Sequence, residues 1–439
     1  MIYKLMDDPQ QFNAFVQNHP YSHFQKTSMW GEFIQKTEHN PYRMLGFFEH
    51  NQLVATAMLL VKKTLLGHFL YVPKGPCVDY QDKKLTNQVL SSLKDYAKKD
   101  KAMFITIDPN VLRMERTIDG HEIEGGENNE FVTEYIDQIG FKHHGYTYAY
   151  DGSFSNRFTL ITKLDQPIES IFKGFSTLRK RSIKKNEKFH LYTLEANRNE
   201  IQEFVRLEND LGKTKEVIRH SLSFYEAIYD AFKGHVHFYK TILPMEKYLS
   251  VLLEKTKSDN PNEAFSALKH YQEAIELQKT KGNEPVLAVG MIFDDGHVSY
   301  GKYYYRDHSI ESLSPLDSLL FHAIQQAKQN GHKAFDFLGF GGLTTPHDWD
   351  IGYSLYQYKH QWNSTFIEEI GQFEFVLNPT QKKVFELSRK IKRKLQSFFI
   401  KFKEMKAFCT EGFFYLLITK EIFRTNTTRS STTSVITII

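Results

Sequence analysis

The sequence predicts two mixed α/β units in series, and three observations carry that expectation. The chain has 439 residues and a hydrophobic share of 41%, more than one ordinary core holds at roughly 150 residues per domain. Apolar runs that read as strands alternate with segments of helical period in the first third, and the alternation begins again near Arg157. A pair of amphipathic helices then interrupts the second series.

In chain order, residues 8–18 have helical spacing and lead into a polar and aromatic loop over 20–30. Residues 43–48, 53–61 and 69–72 read as adjacent strands. Val89, Leu90, Leu93 and Tyr96 fall on one face of a helix over 86–99, and a strand over 102–107 ends in Asp108-Pro109. The second series holds a strand over 157–164, a basic helix over 168–186, and helices over 198–211 and 221–232. Strands over 286–293 and 298–305 follow, then a helix over 315–330 and a strand over 334–338 that runs into a glycine turn.

The interruption is a helical hairpin over 245–282. Met245, Tyr248, Leu249 and Leu252 share a face of its first helix. Asn260, Pro261 and Glu263 supply an N-cap, a first-turn proline and a capping acid for the second. Ala264, Ala267, Leu268, Tyr271 and Ile275 repeat at helical spacing up to Gly282. The expected division is therefore 1–155 for the first unit and 156–368 for the second, with the arm at 245–282. A strand and basic helix over 369–403 return to the first unit, and a tail of uncertain order spans 404–439.

The net charge of +4 excludes a general nucleic-acid coat, so any polyanion must be met by local basic clusters. Two distant cysteines, Cys77 and Cys409, match no disulfide framework or metal spacing. The amino terminus has no secretory pattern, and no apolar run approaches the ~18 residues of a membrane span. A cytoplasmic protein is expected, with the basic helix over 380–406 suited either to packing its apolar residues on the first unit or to lying on an anionic membrane face.

No P-loop, nucleophile elbow, dinucleotide fingerprint or zinc motif is present, so no metal is expected. The turn Gly339-Phe-Gly-Gly342 follows a strand, and Gly339, Gly341 and Gly342 would let backbone amides approach an oxyanion or phosphate, although most such turns only reverse the chain. Residues 173–188 crowd Lys173, Arg179, Lys180, Arg181, Lys184, Lys185 and Lys188 around one acid, Glu187. Like charges at i, i+4 repel, so a phosphate-rich partner is a physical expectation beside the plain alternative of a solvated basic face.

An ordered series of blocks runs along the chain: Pro20-Tyr-Ser-His-Phe24, Val72-Pro-Lys-Gly-Pro-Cys-Val-Asp-Tyr80, Ile107-Asp-Pro109, Phe141-Lys-His-His-Gly-Tyr146 and Leu178-Arg-Lys-Arg-Ser-Ile-Lys-Lys185. Phe335-Asp-Phe-Leu-Gly-Phe-Gly-Gly342, Leu355-Tyr-Gln-Tyr-Lys-His360 and Ile367-Glu-Glu-Ile-Gly371 with Asn378-Pro379 complete it. Together, over about residues 1–395, these blocks resemble the Fem family of peptidoglycan aminoacyltransferases. The resemblance implies two tandem GNAT-like acyltransferase domains, the second carrying a helical arm that is short for the branch. It also implies transfer of an amino acid from aminoacyl-tRNA, as co-substrate and without a cofactor, to the stem-peptide amine of a lipid-linked or nucleotide-linked peptidoglycan precursor. Self-association or sister transferases are further partners on this reading.

Residue by residue, Tyr358-Lys359 matches the family's aromatic-lysine pair, whose cation would stabilise the oxyanion and contact the tRNA 3′ end. Asp108 matches an acidic position of the precursor cleft and is an expected proton acceptor. Lys36 resembles the lysine that meets the precursor's diphosphate, and Thr214-Lys215 a segment on the other side of it. Arg179 and Lys180 would serve the same anion or the tRNA backbone. Two rivals stand beside this reading. One is an acyl-CoA N-acyltransferase, against which no pyrophosphate-wrapping glycine turn is found. The other is a non-catalytic scaffold docking through the arm and basic helix.

Overall fold

The protein is described here by a computed structural model that covers residues 1–148, 154–212, 219–340 and 352–391. Residues 1–377 form one compact unit, and a second begins at Asn378. In the second unit, a helix over 379–391 is capped by the Asn378 side chain, whose Oδ1 accepts from the Gln381 amide at 3.0 Å.

Among the described residues the first unit contains two mixed sheets of seven strands each. The first sheet uses β1 (Ile2–Leu5), β2 (Tyr42–Glu49), β3 (Gln52–Thr64), β4 (Gly67–Val72), β5 (Phe104–Ile107) and β6 (Lys142–His143). The second uses β7 (Phe158–Lys163), β8 (Tyr192–Glu195), β9 (Val236–Ile242), β10 (Val286–Asp294), β11 (Val298–Arg306), β12 (Ala334–Gly339) and β13 (Thr365–Glu368), while β14 (Phe373–Val376) goes back to the first.

The two sheets share one plan. The orders β1-β2-β3-β4-β5-β14-β6 and β8-β9-β10-β11-β12-β7-β13 each begin with an antiparallel run, hold one parallel pair, and close with two antiparallel strands. The parallel pairs β4–β5 and β11–β12 are bridged by the helices Lys83–Lys99 and Pro315–Gln329, because parallel neighbours need a crossover. Val89, Leu90 and Leu93 bury one face of the first helix over the first sheet, and Leu319, Leu320, Ala323 and Ile324 do the same over the second.

The basic segment is two helices, not one. Ile168–Gly174 and Thr177–Lys188 are separated at Phe175 and Ser176, where the Ser176 hydroxyl accepts from the Arg179 amide as N-cap. The arm consists of Met245–Lys255 and Pro261–Lys281, the second capped by Asn260 as its sequence requires. Its expected stripe is buried or half-buried at Ala264, Ala267, Tyr271 and Ile275 and fails only at Leu268. Ala267 and Ala274, seven residues apart, face Tyr248 and Leu252, whereas Leu268 and Phe265 are exposed. Small residues on the seam let the helices approach and turn the larger ones outward.

Candidate active site

The second sheet opens where its parallel strands part. β11 and β12 are paired only from Val298 with Ala334 to Tyr300 with Asp336. Beyond that point each strand is bulged. Lys302 faces Met291 and Tyr305 faces Val289, so Tyr303 and Tyr304 together oppose Gly290, with Tyr303 at φ 58°. On β12 the register with β7 slips between Asp336 and Gly339, with Leu338 at φ 57°. The gap between the strands is part of a cavity of about 370 Å³, walled by residues 301–304 on one side and 336–339 on the other.

Lys359 enters this cavity from the last turn of the helix Tyr353–His360. Its Nζ donates to the carbonyls of Leu338 at 2.8 Å and Gly339 at 3.0 Å, the groups that the β12 bulge frees from the ladder. An ammonium has three donors, so one remains for a ligand. Burial pushes its pKa down to about 8, and Asp336 opposes that fall. Asp336 is held by Thr159 Oγ1 and by the Leu338 amide at 2.7 Å, and burial raises its carboxyl above the usual range. Tyr358 points to the other side, where its hydroxyl donates to Asp317 at 3.0 Å beneath the helix Pro315–Gln329.

Glu369 and Lys74 close the wall toward the first sheet. They pair at 2.7 Å, and burial pushes the Glu369 carboxyl up to about 7 against the pull of Lys74. The preceding Glu368 faces the opposite way, as the strand period demands, into Arg113 at 2.9 Å, Arg157 at 3.0 Å and Arg116. Although burial alone would raise it, hydrogen bonds from Arg113 and Arg116 hold the Glu368 carboxyl below the usual range. Arg113 and Arg116 lie in the segment after β5 and Glu368 ends β13, so this cluster ties the two sheets together beside the cavity. His23 also lines the cavity. Its Nδ1 accepts from the Gln25 amide at 3.1 Å, and burial, with Lys74, Lys26 and Lys302 nearby, keeps the ring neutral.

Of the residues expected from sequence, Lys359 and Gly339 meet in this cavity. Asp108 does not line it. Its carboxylate accepts from the Tyr71 hydroxyl at 2.9 Å, the Ser155 hydroxyl at 2.5 Å and the Lys74 amide at 2.7 Å, which places it one layer behind as the support of the Lys74 backbone. Lys36 is exposed and pairs with Asp230 at 3.2 Å, outside the cavity lining. Arg179 is bound to Asp317 at 2.5 Å and lies over the Tyr358 ring, so it braces the helix that carries Lys359. Lys180 donates to the Lys173 carbonyl at 2.8 Å on the surface. Thr214, Lys215, Gly341 and Gly342 lie outside the described residues. Among the described residues, no group of three or more His, Cys, Asp or Glu side chains is placed to hold a metal ion.

A sequence model of the FemAB family matches residues 8–390. The chain belongs to that family. This FemAB protein is 25% identical over 414 residues to the lipid II:glycine glycyltransferase of Staphylococcus epidermidis, covering 88% of this chain and 95% of the relative. It is 24% identical over 415 residues to the aminoacyltransferase FemA of Staphylococcus aureus, covering 87% and 96%. In structure it resembles the crystal structure of FemX, with a TM-score of 0.74 at 21% identity over 88% of this chain and 99% of that one. That likeness establishes the fold of the FemAB chain, two mixed α/β sheets in tandem.

Sequence reasoning missed Lys74, Asp336, Glu369 and Lys302 as cavity residues. The first three stand inside blocks already singled out, Val72-Pro-Lys-Gly, Phe335-Asp-Phe and Ile367-Glu-Glu-Ile. A charged residue within an otherwise apolar block was the available signal. Lys302 carried none, because only the bulge brings it to the gap.

Proposed function

We propose that the cavity between β11 and β12 transfers an aminoacyl group from a charged tRNA to the amine of a peptidoglycan precursor's stem peptide, extending its interpeptide bridge. Membership of the FemAB family supports the reaction class, as do relatives named as a glycyltransferase acting on lipid II and as an aminoacyltransferase. The single observation that carries the assignment to this cavity is Lys359, a buried ammonium fixed by two carbonyls with one donor left over.

An aminoacyl ester is already activated, so the site has to align the amine and stabilise charge. The amine nitrogen attacks the ester carbonyl carbon and the carbonyl oxygen becomes the oxyanion. The free Lys359 N–H meets that oxygen where charge develops. Collapse breaks the bond to the ribose oxygen and forms the amide, while the proton lost by the amine passes to a carboxylate. Glu369 fits that part better than Asp108, because it borders the cavity and its pKa of about 7 suits exchange near neutrality. On this reading Asp108 is a support and Tyr358 with Arg179 positions the Lys359 helix.

Neither a metal nor an organic cofactor enters the scheme, and aminoacyl-tRNA is its co-substrate. Among the described residues no helix is long and apolar enough to cross a membrane. A lipid-linked acceptor would then be met at the membrane face, with the basic segment that begins after Asn378 as the contact. The deciding experiment incubates the protein with a radiolabelled pool of charged tRNAs and a lysine-containing nucleotide-linked muropeptide. Label moves to the muropeptide with wild type and fails to move with Lys359→Met or after ribonuclease treatment. Transfer from acetyl-CoA in place of tRNA would overturn the proposal.

A further inference from the structure

The β11 bulge brings two polar groups to the cavity that the scheme above does not use. Lys302 Nζ has no ion pair or hydrogen bond among the described residues, and it lies over the faces of Trp30 at 5.3 Å and Tyr303 at 5.1 Å. The Tyr304 hydroxyl is buried and has no hydrogen-bond partner among the described residues. Its position is forced, because the ring lies against Gly301, where a Cβ would stand 1.2 Å from the hydroxyl oxygen.

Lys302 is half-buried, an ammonium with no counter-charge is expensive to withdraw from water even in part, and two aromatic faces return only some of that cost. The burial pushes Lys302 down to about 8 with no charged neighbour contributing, whereas Lys359 responds to Asp336. The two lysines of the cavity thus sit in different electrostatic surroundings, one beside a carboxylate and one without. A single transition-state oxyanion does not account for both. Lys302 and Tyr304 are donors in want of an acceptor, on the wall opposite β12.

We infer that Lys302, assisted by the Tyr304 hydroxyl, binds a permanent anionic group of one substrate, a carboxylate or a phosphate, and so positions that substrate across the cavity from Lys359. The inference rests on the transferase reading and adds a positioning pair to it. A carboxylate would come from the end of the acceptor's stem peptide, and a phosphate from the acceptor's diphosphate or the tRNA 3′ end. Each donor keeps its partner throughout the reaction, so the pair should act on binding rather than on the chemical step.

Steady-state transfer is measured for wild type, Lys302→Met, Lys302→Arg and Tyr304→Phe, varying the charged tRNA and the muropeptide in turn. Lys302→Met is expected to raise KM for one substrate at least tenfold while kcat stays within about threefold, and Lys302→Arg to recover most of the loss. Tyr304→Phe removes a hydroxyl that has no hydrogen-bond partner among the described residues, so it folds, and it should raise the same KM about threefold. A rise for the tRNA assigns the 3′-end phosphate. A rise for the muropeptide that vanishes with a carboxy-terminal amide assigns the carboxylate, and one that persists assigns the diphosphate. Unchanged KM for both substrates in Tyr304→Phe and in folded Lys302→Met, or in Tyr304→Phe where Lys302→Met does not fold, with wild type active, overturns the inference alone. An inactive wild type would instead overturn the transferase reading on which it rests.

Discussion

Replacing Lys359 by methionine should separate activity from stability. The side chain keeps its length but loses the cation, and two opposing effects on folding can be weighed. The fall of the Lys359 pKa from 10.5 to about 8, at about 1.4 kcal/mol per pH unit, means that its charged form costs the folded state about 3 kcal/mol near neutrality. Methionine relieves that. Against it, the carbonyls of Leu338 and Gly339 lose charge-assisted hydrogen bonds worth about 1.5 to 3 kcal/mol each. The two effects partly cancel, leaving a net loss of stability between about 0 and 3 kcal/mol. Transfer loses an oxyanion donor, which lowers kcat by roughly 10² to 10³. The sign with pH is also fixed. A lysine whose folded pKa is lowered destabilises below about 8, so the variant's relative stability should decline as pH rises from 8 toward 10.5. Urea unfolding at pH 7 and 9.5 and single-turnover transfer measure both. A folded variant with kcat within threefold of wild type, or one that loses more than about 4 kcal/mol, would refute this reasoning.

Other consequences can be checked separately. If Glu369 accepts the proton and Lys359 must be charged, kcat rises with pH through about 7 and falls through about 8, and Lys359→Arg moves the alkaline limb upward in the same pH profile. Glu368→Gln leaves three arginines around an uncharged group and should cost about 3 to 5 kcal/mol by chemical denaturation at pH 7. Because the Glu368 carboxyl is held below its usual 4.5, that difference is full above this pH and shrinks as pH falls through the lowered value. Gly301→Ala drives a methyl into the Tyr304 ring and should cost about 1 to 3 kcal/mol by thermal melting while weakening substrate binding.

The strands that read clearly from sequence are those with continuous apolar runs. β3 and β10 are buried along most of their length, and hydrophobic content alone marks them. β9, Val236–Ile242, was passed over although it is buried at every position but His237, because His237, Lys240 and Thr241 break the apolar pattern and are absorbed by pairs such as Lys240 with Glu200. β14 was expected as the strand within 369–403 that returns to the first unit, but its place between β5 and β6 and the repeated sheet plan were not, since pairing across hundreds of residues leaves no local trace. At the site, the aromatic-lysine pair was legible as a motif, but its two members turned out to face opposite sides of one helix. The basic cluster over 173–188 suggested a phosphate-rich partner or a solvated face, and within it Arg179 pairs with Asp317 while Lys180 and Lys185 donate to backbone carbonyls. Lys302 escaped notice because a bulge, not the strand period, aims it.

The most direct test of the central claim is the mass of the acceptor after reaction. Purified protein is incubated with a pool of all charged tRNAs and a lysine-containing muropeptide, and the muropeptide is weighed and fragmented by mass spectrometry. The account predicts a discrete increase equal to one or a few amino-acid residues, located on the stem-peptide amine, dependent on intact tRNA and absent with Lys359→Met. An unchanged mass with every charged tRNA supplied, or an increase that persists when Lys359 is removed, would contradict it.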